Sequence, residues 1–88
     1  MEAEVTIVNR LGLHARAAGK LVNLAKTFES RVSLARGDEA VDAKSIMAVM
    51  LLAAPIGTTL TLRVDGGDEA VALEAICELI ANRFGEGE

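Results

Sequence analysis

Residues 2–8 alternate between faces, with Ala3, Val5 and Ile7 on one side and Glu2, Glu4 and Thr6 on the other. That period of two predicts a half-buried strand over Glu2–Val8, followed by a loop over Asn9–Leu13. From Ala15 to Phe28 the apolar residues Ala18, Leu21, Val22, Ala25 and Phe28 recur at helical spacing and predict an amphipathic helix. Arg31–Ala35 alternates again with Val32 and Leu34 inward, Gly37-Asp38 marks a tight turn, and Ala40–Ala43 returns as the second arm of a hairpin. Ser45 opens a helical run through Met50 and Leu52, with Pro55 and Gly57 as its stop. Thr59–Asp65 is the clearest strand, Leu60, Leu62 and Val64 opposing Thr59, Thr61, Arg63 and Asp65. Gly66-Gly67-Asp68 reads as a turn and cap, and Asp68 starts a last helix striped by Ala72, Ile76, Leu79, Ile80 and Phe84. The acidic tail from Gly85 is expected to fray.

The order is therefore β-α-β-β-α-β-α. Each strand keeps one polar face, which predicts a mainly antiparallel sheet with one side in water and the helices over the other. The expected fold is α+β: a two-layer open-faced sandwich, with residues 1–88 as one domain. No internal repeat, linker or low-complexity segment interrupts it.

Composition narrows the function. The 88 residues hold no Trp or Tyr and only Phe28 and Phe84, so the core must be aliphatic. A net charge of −4 argues against a general nucleic-acid binder, and the few aromatics argue against a base-stacking surface. Cys77 stands alone, which excludes a disulfide framework or a cysteine-based zinc site within one chain, and it reads as a small buried hydrophobe. His14 is also alone, so no metal pair forms, and no cofactor is implied. Glu2 and Glu4 oppose a secretory signal, and the apolar stretch Ile46–Ile56 is too short to span a bilayer. A cytoplasmic location without membrane insertion is expected.

The segment Leu11-Gly12-Leu13-His14-Ala15-Arg16-Ala17-Ala18 carries the candidate chemistry. His14 sits where a loop becomes a helix, and a helix start offers unpaired N–H groups and positive potential to an anion. A neutral imidazole there can take up a phosphoryl group, Arg16 can pair with its oxygens, and Ala17 adds a first-turn N–H. The plainer alternative is a structural histidine with a solvated arginine. Ser45 reads first as a helix N-cap; the alternative is a phosphorylation site, where added negative charge would be tolerated. Ile46, Met47 and Met50 are either core or an exposed docking patch, because one layer cannot bury every face of so apolar a helix.

With these residues in hand, the chain resembles the HPr family, the histidine-containing phosphocarriers of the bacterial phosphotransferase system. The likeness is carried by Asn9, by Gly12-Leu13-His14-Ala15-Arg16, and by Asp42-Ala43-Lys44-Ser45-Ile46-Met47-Ala48-Val49-Met50. Gly66-Gly67-Asp68-Glu69-Ala70 and Phe84-Gly85-Glu86 add to it. The resemblance implies a four-stranded antiparallel sheet with three helices on one face. It implies that His14 accepts a phosphoryl group at Nδ1 from phosphorylated enzyme I and passes it to a histidine of a IIA component. Arg16 would steady that group, Ser45 would be the target of HPr kinase/phosphorylase, and Ile46, Met47 and Met50 would meet partners, transcription regulators among them. Two positions depart from the commonest pattern: Ala17 stands where proline is frequent, and Ala48 where glycine is. The LHARAA form is compatible with both the sugar-transport and the nitrogen-related branch.

Three functions are thus open: a phosphocarrier without turnover of its own, a regulatory binding module governed by Ser45, and a ferredoxin-like ligand-binding module with an unreactive His14.

Overall fold

In a computed structural model describing residues 1–88, the chain runs β1 (Glu2–Thr6), α1 (Ala15–Ala25), β2 (Arg31–Arg36), β3 (Glu39–Asp42), α2 (Ile46–Leu51), β4 (Thr59–Asp65) and α3 (Glu69–Ala81). A 3₁₀ turn over Arg83–Gly85 follows. The strands form one antiparallel sheet in the order β1-β4-β2-β3. Register explains the alternation: Leu60 faces Val5, Leu62 faces Leu34 and Val64 faces Val32, so one pleated face is wholly aliphatic. The other face carries exposed Glu4, Arg31, Arg63 and Asp65. The two-layer open-faced α+β sandwich is as expected.

Helices seal the apolar face. Ala18, Leu21, Val22 and Ala25 of α1, Val49 of α2, and Ala72, Ile76 and Ile80 of α3 join the inward strand residues in one cluster of 21 buried side chains. Phe84 is its one fully buried aromatic, which lets helices and sheet pack closely on small aliphatic groups.

Several ends differ from the sequence pattern for local reasons. β1 stops at Thr6 because Ile7 pairs with the turn instead, accepting from Gly57 at 2.7 Å and donating to Thr58 at 2.9 Å. α1 stops at Ala25 because Thr27 and Phe28 tighten to bonds with Leu24 and Ala25, leaving Phe28 half-buried. β3 begins one residue earlier than expected, at Glu39, because it closes the turn opposite Arg36. α2 ends at Leu51, well before Pro55: Ala53 takes a left-handed φ of +48°, and Arg36 Nη1 donates to Leu52 O and Ala53 O at 2.9 Å each. Asp68 does occupy the N-cap position of α3, yet its carboxylate caps nothing in that helix. It accepts instead from Glu29 N at 2.9 Å, Ser30 N at 3.0 Å and the Ser30 hydroxyl, tying α3 to the start of β2. The Ser30 hydroxyl, then the Glu29 amide, hold the Asp68 carboxyl below its usual range. Cys77 is half-buried, not fully buried, because it flanks the stripe of α3.

The tail is the main correction. Residues from Gly85 do not fray: Phe84 is sunk in the core, its carbonyl accepts from Lys20 Nζ at 2.7 Å, and Arg10 N donates to Glu88 O at 2.9 Å. A polar, glycine-containing end looks mobile in sequence, but an anchored aromatic turns it back across the molecule. Phe84→Ala should cost about 3–5 kcal/mol, read as a lowered urea midpoint, because it empties the largest side-chain volume in an aliphatic core.

Candidate functional site

The site is built on one close approach. Gly12 has φ +71°, and a Cβ there would stand 2.7 Å from Ala54 O and 2.9 Å from Pro55 Cα. Leu13 N donates to Ala54 O at 2.8 Å, so the loop before α1 lies directly on the exit of α2. His14 follows at the N-cap position in extended conformation, φ −80° and ψ 178°, with no side-chain cap bond. The first intrahelical bond runs from Ala18 N to His14 O at 2.8 Å, leaving the N–H groups of Ala15, Arg16 and Ala17 without a partner in the chain. Ala17 is wholly buried, whereas Arg16 is exposed and makes no hydrogen bond or ion pair. A helix start stripped of its usual caps is a ready anion site.

The His14 side chain is 29% exposed, and its Nε2 meets Oε2 of Glu86, whose side chain is 13% exposed. An ionised carboxylate only accepts, so Nε2 is the donor, and in the neutral ring the lone pair lies on Nδ1. Glu86 is itself held: Asn9 Nδ2 donates to its Oε1 at 2.9 Å and to Gly12 O at 2.7 Å. The Asn9 amide first, then the His14 ring, hold the Glu86 carboxyl below its usual range against the opposing effect of burial. Arg10, Arg16, Lys20, His14, Glu86 and Glu88 line one cleft of about 700 Å³, in which Arg10 Nη1 pairs with Glu88 Oε2 at 3.3 Å. Of its three fixed cations, Arg16 is uncommitted.

The structure places His14 and Arg16 on the wall of one cleft, while Ala17, wholly buried, is not among its lining residues. Ser45 stands apart from this cleft: it is the N-cap of α2, its Oγ accepting from Ala48 N at 3.4 Å. Ile46, Met47 and Met50 are exposed by 42%, 76% and 43%, so these side chains are not core. Leu51 and Leu52, which compete for the interior on pattern alone, divide: Leu51 is exposed and Leu52 buried. Leu11, Ala53 and Pro55 border His14 in a shallow second pocket, extending the apolar surface to the ring itself.

Sequence reasoning gives no role to Asn9, Lys20, Glu86 or Glu88. Asn9 and Glu86 are visible in sequence only as members of the motifs that carry the family resemblance, and their proximity across more than seventy residues has no local trace.

The family model described as "PTS HPr component phosphorylation site" matches residues 1–82. The chain belongs to the HPr family. A phosphocarrier protein HPr of Cupriavidus necator is 58% identical over 88 residues, covering 100% of this chain and 99% of that protein. A phosphocarrier protein NPr of Shewanella violacea is 42% identical over 86 residues, covering 98% of this chain and 94% of that protein. The crystal structure of HPr-C-His from Thermoanaerobacter tengcongensis superposes with a TM-score of 0.94 at 38% identity, covering 98% of this chain and 97% of that one. Membership accounts for the open-faced sheet covered by three helices.

Because the Glu86 carboxyl is lowered in the fold, its stabilisation is present above the ordinary glutamate value of 4.5 and is lost as pH falls through the lowered one. The native chain should therefore exceed Glu86→Gln in urea midpoint at neutral pH, and the gap should narrow as pH falls below the ordinary glutamate range. A gap independent of pH would contradict the charged contact.

Proposed function

We propose that this chain is a phosphocarrier in which His14 accepts a phosphoryl group from phosphorylated enzyme I and hands it to a IIA component. The observation that carries the reading is the accessible ring with its Nε2 proton held by Glu86, beside an uncapped helix start and an unpaired Arg16. The Nδ1 lone pair forms the new bond to phosphorus while the bond from phosphorus to the donor atom breaks, and that electron pair stays with the donor. The ring then carries phosphorus on Nδ1 and hydrogen on Nε2, a cation facing the Glu86 carboxylate. Onward transfer reverses this: the N–P electron pair returns to Nδ1 and the ring leaves neutral. No proton has to move in either direction. The oxygens of the transferred group meet the N–H groups of Arg16 and Ala17 and the Arg16 guanidinium, which offset its charge.

A carrier has no turnover of its own and must meet donor and acceptor in succession on one face. Ile46, Met47 and Met50, with neighbouring Leu51, offer a small flexible apolar surface suited to short-lived contacts. A cytoplasmic setting fits such partners. Relatives bearing the names HPr and NPr are both phosphocarriers, so the carrier role is common to them while the partner decides the sugar-uptake or nitrogen-related branch. Residues 1–88 act as one unit in this reading.

The half-buried Ser45 favours a second, compatible role. Its long 3.4 Å cap bond holds the hydroxyl loosely, and a phosphate there would lie at a helix start without disturbing the fold. Phosphorylation by HPr kinase/phosphorylase would then alter docking on the adjoining patch by partners or transcription regulators.

Incubation with phosphoenolpyruvate and enzyme I should place acid-labile phosphate on the native chain and none on His14→Ala. Absence of label on the native chain, with enzyme I active on another carrier, moves the function to Ser45. Arg16→Ala should slow transfer about tenfold with an unchanged circular dichroism spectrum, since the side chain supports no other contact. Equal rates would remove its role.

A further inference from the structure

Asn9 is wholly buried, yet its Oδ1 has no hydrogen-bond partner. The amide cannot turn over to mend this, because its nitrogen already faces two acceptors, Gly12 O and Glu86 Oε1, at 2.7 and 2.9 Å. An unbonded buried oxygen is a cost to the fold, tolerated where the group's other contacts matter more. Those contacts are specific: one fixes the carbonyl two residues before His14, the other fixes the carboxylate that meets the His14 ring.

We propose that Asn9 is a positioning residue for phosphoryl transfer, acting through Glu86: its buried amide sets the tail carboxylate on Nε2 of His14. This rests on the reading of His14 as phosphoryl acceptor. The groups facing the ring and carboxylate are Arg10, Arg16, Lys20 and Glu88 from the loop, α1 and the tail, and only Glu86 reaches the ring. Asn9 touches neither the ring nor the transferred group. It acts by keeping Glu86 where the Nε2 proton must stay while the ring is cationic. Without that hold, the phosphorylated ring gives up its proton at lower pH and becomes a poorer leaving group.

The test is a double-mutant cycle on the full chain with Asn9→Ala, Glu86→Ala and the pair, each labelled from phosphoenolpyruvate through enzyme I. The readout is the pH profile of phosphoryl release to a IIA acceptor. Each single variant should move the alkaline limb to lower pH by about 1 unit, and the double variant should move it no further. Displacements that add, or an Asn9→Ala profile matching the native one, overturn the proposal, since Asn9 would then serve only the Gly12 loop. Should Asn9→Ala not fold, Asn9→Asp keeps the shape, removes both donated bonds and repels Glu86, and the same displacement is expected. Proton exchange of the ring Nε2–H, followed by NMR on unphosphorylated protein, distinguishes the two levels. Faster exchange in both single variants, with no label on the native chain, overturns the carrier reading while retaining the positioning contact. Label on the native chain with unchanged exchange in Asn9→Ala overturns the positioning role alone.

Discussion

The approach of Gly12 to Ala54 governs the geometry of this molecule. No other residue fits: a left-handed φ and a Cβ contact of 2.7 Å with a backbone oxygen exclude any side chain. From that point three things follow. Leu13 is drawn onto the α2 exit, the next residue is left extended, and α1 begins without a capping side chain. A histidine at an ordinary capped helix start would compete for the same N–H groups that an anion needs. Here they stay free because the loop is held from behind.

The second support comes from the far end of the chain. Burial of Phe84 pins the tail, and Lys20 and Arg10 hold the backbone on either side of Glu86. Glu86 can then face both the Asn9 amide and the His14 ring. The cleft is consequently a balance of charges. Glu86 and Glu88 satisfy the ring and Arg10, and Arg16 remains free to meet an incoming anion. In the proposed carrier role these charges would steady a phosphoryl group bonded to Nδ1 without enclosing it.

Much of the architecture was legible along the chain. The alternation of Leu60, Leu62 and Val64 marks a half-buried strand whatever its neighbours, and the structure bounds it at Thr59–Asp65 as the pattern does. Element ends were less legible, because they depend on bonds that arrive from elsewhere: Arg36 on the α2 carbonyls, the 57–58 turn on Ile7. Asp68 shows the same limit. Its type and position suit a cap, but Glu29 and Ser30 offer three donors to one carboxylate, and that set wins.

By itself, then, the sequence determined the class of fold, the aliphatic core and the singling-out of His14, Arg16 and Ser45. Periodicity is a local property, and a lone histidine at a glycine-led helix start is visible without coordinates. Only tertiary structure decided that Ile46, Met47, Met50 and Leu51 face solvent, since exposure depends on how much of α2 one sheet can cover. It alone decided that the tail is part of the site. Contacts between Asn9 and Glu86 or His14 and Glu86 join residues more than seventy positions apart, and their strength depends on burial and angle, which no local pattern encodes.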